Sequence, residues 1–481
     1  MTKGHTSELK GPLELLLRHV PQSYRPLVGQ AYHLASASHE GQDRDTGQPF
    51  IIHPVGVALI LASELGFARD AEMMVAALLH DAVEDSALDL DDITPTFGDA
   101  VATLVRGVSK VEGVHVRSRS ARRAAALQRL FTAARQDPRV LILKLADRVN
   151  NMRSIEGIKE RKRKRRIAQE TADVYAPLAH LLGMDRIRRE LDDRSLSCLE
   201  PSVYRKLGRA LEADQGESFR AFRDETARTM AQAGIRHRVR LHAKSLASLR
   251  RKTAGKEVGV SDVYDRLAVE IMVSNRDACY RSLGAVHGRF VPLMERFKDF
   301  IAIPKRNGYQ ALHTTVIEQG MRFEVHIQTP SMYRMGELGV ATLRGDALQE
   351  ERRRRWLRDL AEWHVHAGPS ERFLDEMKRI LFVQEMATFT PKGDPIVLPE
   401  GATLVDFAFA VHTDLGLHCT GGRVNNRPAS PFSVLNWGDT VQIETSATQQ
   451  PASHWLRYVK TYRARRLIRR QITRAQASDK G

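Results

Sequence analysis

Apolar residues recur at every third or fourth position from near the N-terminus to about residue 200, a pattern that predicts an all-α first domain over 1–200. A charged helical stretch, 201–235, follows as a linker. Polar and apolar positions then alternate over 266–273 and over 323–329, as they do in half-buried strands, so 236–345 reads as an α+β domain. A second charged helical connector is expected over 346–384. Beyond it, 385–447 reads as a small β-rich module, with Lys392-Gly393-Asp394 as a hairpin turn and Trp437-Gly438-Asp439 ahead of a further strand. A basic helical tail, 448–481, comes last, and no internal repeat interrupts the order.

Length agrees with this division, since 481 residues exceed what one core supports and suggest about three domains. No apolar stretch approaches the ~20 residues of a membrane span, and the first residues lack a signal-peptide core, so a cytoplasmic protein without membrane contact is expected. Cys198, Cys279 and Cys419 lie far apart, which argues against a disulfide framework or a structural zinc site. The net charge of +16 implies polyanionic partners, nucleotides or RNA. The basic blocks at 161–166 and 352–355 read as solvated helix faces. The tail differs, because Arg463, Arg465, Arg466, Arg469 and Arg470 follow Trp455, Arg457, Tyr458 and Lys460, and cations interleaved with aromatics suit nucleic acid.

Three segments carry candidate chemistry. The run Leu78-Leu79-His80-Asp81-Ala82-Val83-Glu84-Asp85 ends an apolar helix with groups able to hold a metal and activate water. If that helix continues, His80 lies above Glu84 and Asp81 above Asp85. His53 ends a short apolar run just before Pro54, a residue favoured at helix starts, which places it at a rigid junction. Asp147 and, one turn later, Asn151 interrupt the apolar helix expected over 140–151, where a carboxylate needs a partner or a metal. His53, His80, Asp81 and Asp147 form a ligand set for manganese, iron or zinc. The plainer alternative makes His53 a capping or core histidine and pairs Asp147 with Arg148 or Arg153.

These segments, with His39, Gln42 and Arg44, resemble the His-Asp hydrolase domain of the RelA/SpoT homologues, enzymes that make and destroy the guanosine alarmones (p)ppGpp. The resemblance implies an all-α HD-type hydrolase domain, an α+β nucleotidyltransferase-like synthetase domain and a small β-grasp TGS domain. It implies Mn2+-dependent removal of the 3′-pyrophosphate from (p)ppGpp, giving GDP or GTP. His53, His80, Asp81 and Asp147 would hold the ion, Glu84 and Asp85 would orient or deprotonate the water, and Arg44 and Asn151 would contact the nucleotide. Two departures stand out: Asn150 where histidine is frequent, and Asp45 where lysine is usual, which removes a cation from beside the polyphosphate.

The segment 296–315 resembles the synthetase's phosphate and guanine region, and carries Arg296, Lys298, Lys305, Tyr309 and His313. Tyr309 matches the tyrosine that stacks on guanine, and Asp265 and Glu324 match the carboxylates for Mg2+, an ion needed only if synthesis occurs. Four substitutions argue against synthesis. The family's Gly-Arg-Pro-Lys-His loop is Leu241-His242-Ala243-Lys244-Ser245, which keeps only Lys244; an arginine of the first strand is Glu270; the arginine after the Glu-Val-Gln-Ile strand is Gln328; and the Ala-Ala-His-Trp end is Ala341-Thr342-Leu343-Arg344. Phosphoryl transfer relies on such cations, so an inactive synthetase is expected.

The stretch 388–416 resembles a TGS domain, in which His412 matches a histidine near a tRNA contact; a helix-capping role is the equal alternative. The resemblance describes a short form without zinc-finger and ACT modules, with weak ribosome contact. Two rival readings are a bifunctional synthetase/hydrolase, which Asp265, Glu324 and Tyr309 allow, and a non-catalytic tRNA- or ribosome-binding regulator.

Overall fold

The helix Ala71–Leu79 has no exposed face: every side chain from Met73 to Leu79 is buried. Such a segment is stable only when surrounded, and the helices Arg25–Ser38, Ile52–Leu59 and Asp99–Val108 enclose it. Asp70 caps its start by accepting from the Met73 amide at 3.0 Å. Arg139, at the head of the helix Arg139–Arg153, forks onto Asp70 (3.0 Å), Glu72 (2.7 Å) and Asp137 (2.7 Å). One guanidinium thus fixes the starts of two helices, one leading into His80 and Asp81 at its far end and the other carrying Asp147 near its middle.

The computed structural model describes residues 10–85, 88–109, 130–134, 136–214, 217–253, 266–305, 307–342 and 385–478, with the side chains of Glu84 and Asp85 outside this set. Asp265, Leu343, Arg344, the block 352–355 and the connector expected over 346–384 also lie outside the described residues. Two compact units form, Met1–Lys378 and Arg379–Gly481.

The described residues among the first 200 are mainly helical, as the periodicity predicts, with two local differences. The apolar helix stops at Leu79 and a separate short helix, Ala82–Asp85, begins after it, so His80 and Asp81 occupy a turn rather than a continuing helix. The helix carrying His53 starts at Ile52, ahead of Pro54, which puts His53 in its first turn.

In the α+β domain the sheet runs β1 (His237–Ala243), β2 (Leu267–Val273), β6 (Met321–Gln328), β5 (Leu312–Glu318), β3 (Val291–Pro292), with β4 (Lys298–Asp299) also paired to β5. β2 and β6 are parallel, joined by a crossover that includes the helix Arg276–Arg289; the other pairings are antiparallel. β2 is buried along nearly its whole length rather than on one face, because it is an inner strand between β1 and β6. Leu241, His242 and Ala243 complete β1 instead of forming a loop. The helix Glu217–Gln232, within the stretch read as a linker, packs Phe219, Phe222 and Met230 into the sheet's core, with Phe222 stacked on Phe323 at 4.0 Å.

The helical and α+β domains meet backbone to backbone. The Val340 amide donates to the Leu182 carbonyl at 3.0 Å, and a Cβ on Gly339 (φ +52°) would stand 2.0 Å from that same oxygen. Arg189 adds an ion pair to Glu337 at 2.7 Å.

In the second unit, β7 (Glu385–Phe389) and β8 (Pro395–Pro399) form the expected hairpin around Gly393 (φ +86°). β9 (Cys419–Val424) pairs with β10 (Arg427–Ala429) and with β11 (Val441–Thr445), which follows Gly438. The helix Leu404–Val411 begins in a capping box of Thr403 and Asp406, and the fully buried Asp406 also accepts from the amides of Lys460 and Thr461. The basic tail is therefore part of this fold: Trp455, Val459, Ala464 and Ile468 are in its core.

Candidate metal centre

The turn after one helix, the first turn of a second and the middle of a third converge on one buried point. His53 Nε2 lies 3.2 Å from Asp81 Oδ2 and 3.4 Å from Asp147 Oδ1; His80 Nε2 lies 3.3 Å from Asp81 Oδ1 and 3.9 Å from Asp147 Oδ1. One ligand atom each from His53, His80 and Asp147 fall within 4.8 Å of one another, and Asp81 bridges the two rings. His53 and His80 are 2% and 1% exposed, and His80 Nε2 is buried without a hydrogen-bond partner. A buried imidazole nitrogen left in that condition is costly unless a cation takes its lone pair, so these residues fit a divalent metal.

Outer contacts aim both rings. The Ala77 carbonyl sits 2.8 Å from His80 Nδ1, and the Asn150 side-chain nitrogen sits 2.7 Å from His53 Nδ1. Asp147 pairs with neither Arg148 nor Arg153. Its partner is Lys144, whose Nζ is 3.0 Å from Oδ2, while Arg148 turns to Glu170 and Arg153 to Glu64 and Glu190. Burial by itself would raise the Asp147 carboxyl, but the Lys144 ammonium and the two imidazoles outweigh it and hold Asp147 well below the carboxylate range. Asp81 is likewise lowered, with His80 and His53 overcoming burial. For His53, burial is outweighed by Asp147 and Asp81, and the ring is raised above its ordinary value.

Two further polar side chains extend from the same point. Asn151 donates to Asp147 Oδ1 at 2.5 Å, and Arg44 donates to Asn151 Oδ1 at 2.9 Å, so both positions expected to meet nucleotide adjoin the metal set. Asp45 draws in Arg163 at 2.9 Å, which returns a cation to the place where lysine is usual. Lys144 and Asn150 were not singled out as site residues from sequence. Both lie on the helix of Asp147, three residues before and after it, and that spacing is the signal that reveals them.

In the synthetase-like domain, Tyr309, His313, Glu324 and Lys244 come together: the Tyr309 hydroxyl is 2.8 Å from His313 Nε2, and Lys244 Nζ is 3.8 Å from Glu324 Oε2. Lys305 lies over the Phe300 and Tyr309 rings, Lys298 pairs across to His313 in the β4/β5 register, and Arg296 ends a short 3-10 turn. Burial, the largest influence, lowers His313 to about 3. The charge-reversed Glu270 is buried against Arg240 (2.7 Å) and His242 (3.4 Å), and Gln328 is buried with Oε1 unpartnered.

In the second unit His412 is exposed, and its Nδ1 accepts from the Asp414 amide at 3.3 Å, capping the short helix Thr413–Leu417. Trp455 is buried and closed to base stacking; Tyr458 is exposed and stacks on Phe432.

Family models match residues 31–185 as an HD domain, 240–343 as a region found in RelA / SpoT proteins, and 386–445 as a TGS domain. The bifunctional (p)ppGpp synthase/hydrolase SpoT of Escherichia coli K12 is 39% identical over 477 residues, covering 97% of this chain and 67% of that protein. The chain belongs to the RelA/SpoT family. Two further RelA/SpoT relatives are the guanosine-3′,5′-bis(diphosphate) 3′-pyrophosphohydrolase of Vibrio cholerae, 40% identical over 94% of this chain and 65% of that protein, and the GTP pyrophosphokinase of Myxococcus xanthus, 37% identical over 95% and 63%. The chain spans about two thirds of the length of these curated relatives. Among the described residues no helix is long and apolar enough to cross a membrane.

Proposed function

We propose that the helical domain hydrolyses the 3′-pyrophosphate of (p)ppGpp with a divalent metal held by His53, His80, Asp81 and Asp147. The observation that carries this reading is the buried His53/His80/Asp147 cluster with its unpartnered His80 nitrogen, in a chain of this family. A divalent cation there supplies a Lewis acid for the phosphoryl oxygens and lowers the pKa of water. Manganese is the ion the resemblance favours. Asn151 holds Asp147 on one side and Arg44 on the other, which places the guanidinium to receive a phosphate displaced toward it. Glu84 and Asp85 follow the ligand turn within one short helix, and are assigned to orienting the attacking water and taking its proton.

The synthetase-like domain is read as inactive, because Glu270, a buried carboxylate paired with Arg240, stands where transfer would need an arginine. A bifunctional enzyme is the second reading, favoured by the retained Tyr309 and Glu324. For the second unit we propose an RNA contact through exposed His412, Tyr458 and the arginines of the helix Tyr462–Ser478, without Trp455.

Incubating the purified chain with ppGpp and Mn2+ should release pyrophosphate, and His80→Ala should abolish release. Turnover that survives His80→Ala overturns the metal centre. Release of AMP from ATP and GDP in Mg2+ overturns the inactive synthetase.

A further inference from the structure

Residues 42–50, just beyond the helix Arg25–Ser38, form a closed arm. Gly41 turns the chain at φ +75°, and the Phe50 amide then donates to the Gln42 carbonyl at 3.0 Å. Asp43 and Pro49 bridge above that pair, and the Arg44 amide donates to the Gln48 carbonyl at 2.9 Å. Gln42 and Phe50 are thus the base of the arm, from which the Arg44 guanidinium reaches Asn151. His39 touches both base residues: its Nδ1 is 3.0 Å from Gln42 Oε1, and its ring stacks on Phe50 with centroids 4.3 Å apart. A carbonyl oxygen only accepts, so Nδ1 carries the proton and Nε2 is a bare acceptor. That Nε2 is buried without a hydrogen-bond partner, in a residue 4% exposed. An unmet buried nitrogen costs stability, and a phenyl ring would make the same stack without it. What the imidazole adds is the single bond to Gln42.

We infer that His39 is a positioning residue for Arg44: its bond to Gln42 fixes the base of the arm, and so the place of the guanidinium that meets a phosphate of the nucleotide. The inference rests on the hydrolase reading proposed above. His39 acts in two directions. Its stack leads toward the metal centre, because Phe50 presents its edge to the His53 ring at 6.1 Å, while the Nδ1 bond leads toward Arg44. His39→Phe separates the two, since it keeps the stack and deletes the bond. The backbone turn survives that change, because the Gln42 amide still donates to the carbonyl of residue 39 at 3.1 Å. Loss of the bond therefore falls on substrate binding and leaves the metal ligands in place.

The test follows hydrolysis of ppGpp in Mn2+ by the full chain. His39→Phe should melt no lower than the parent, keep kcat within about twofold and raise KM about tenfold, which marks lost binding rather than lost chemistry. In an Arg44→Gln background the same substitution should leave kcat/KM unchanged, because the group it positions is gone. An unchanged KM, or an equal fall in kcat/KM in both backgrounds, overturns the role of His39 and leaves the hydrolase reading intact. Absence of turnover in the unmodified chain overturns that reading, and the role of His39 with it. Gln42→Met removes the same bond from its other end, and gives the same kinetic readings should His39→Phe unfold.

Discussion

The side-chain amide of Asn150 stands 2.7 Å from Nδ1 of His53, on the face of the ring away from Asp81 and Asp147. An amide has a donor end and an acceptor end, so it holds this imidazole whichever nitrogen carries the proton. Outer partners of ligating histidines typically contribute about 10–100-fold in metal affinity. Asn150→Ala should therefore weaken manganese binding by about that factor in a calorimetric titration, with circular dichroism unchanged. Unaltered affinity would remove Asn150 from the site.

Lys144 and Asp147 form a largely buried ion pair, and removing one partner of such a pair costs about 3–5 kcal/mol. Lys144→Met should lower the melting temperature of the metal-free protein. Because a bound cation then replaces the missing charge beside Asp147, added manganese should raise the melting temperature more in this variant than in the parent. Equal shifts would show that Lys144 does not stand in for the metal.

His53 titrates above its ordinary value of 6.5 in the metal-free protein, through Asp147 and Asp81. A raised histidine binds its proton more tightly folded than unfolded, so its contribution to stability is complete below about pH 6.5 and is lost as pH climbs through the raised value. Stripped protein should melt lower as pH rises through that window, and His53→Gln should flatten the dependence. Manganese must displace the same proton, so binding should strengthen over the same rise in pH.

Gly339→Ala would place a methyl group 2.0 Å from the Leu182 carbonyl oxygen at a φ of +52°. Neither backbone can yield without opening the joint. Calorimetry should resolve one more transition in the variant than in the parent. Gly320→Ala, at φ +77° with nothing within 4 Å, should leave the parent's number of transitions unchanged, which separates strain from collision.

Much of the metal centre is legible in sequence because its ligands interrupt or border apolar helices, where periodicity exposes any polar residue. The turn at His80 and Asp81 is not legible, since two residues of broken helix leave the apolar pattern intact. Glu270 was visible as a reversed charge, but its burial depends on β2 lying between β1 and β6, a neighbourhood set by residues far along the chain. Trp455 misleads for the same reason: among arginines it resembles a stacking platform, and only the assembled core, with Phe432 edge-on to its ring at 5.8 Å, shows that it is covered.

The hydrogen bond from Val340 to Leu182 also sets an order of events during synthesis. The Leu182 carbonyl is made long before its donor: at roughly 5–20 residues per second, the intervening stretch takes about 10–30 s to emerge. Through that interval the hydrolase can close around its ligands while one edge stays wet. A synthetase-like domain without catalysis would still be needed then, as the last piece that seals a finished neighbour.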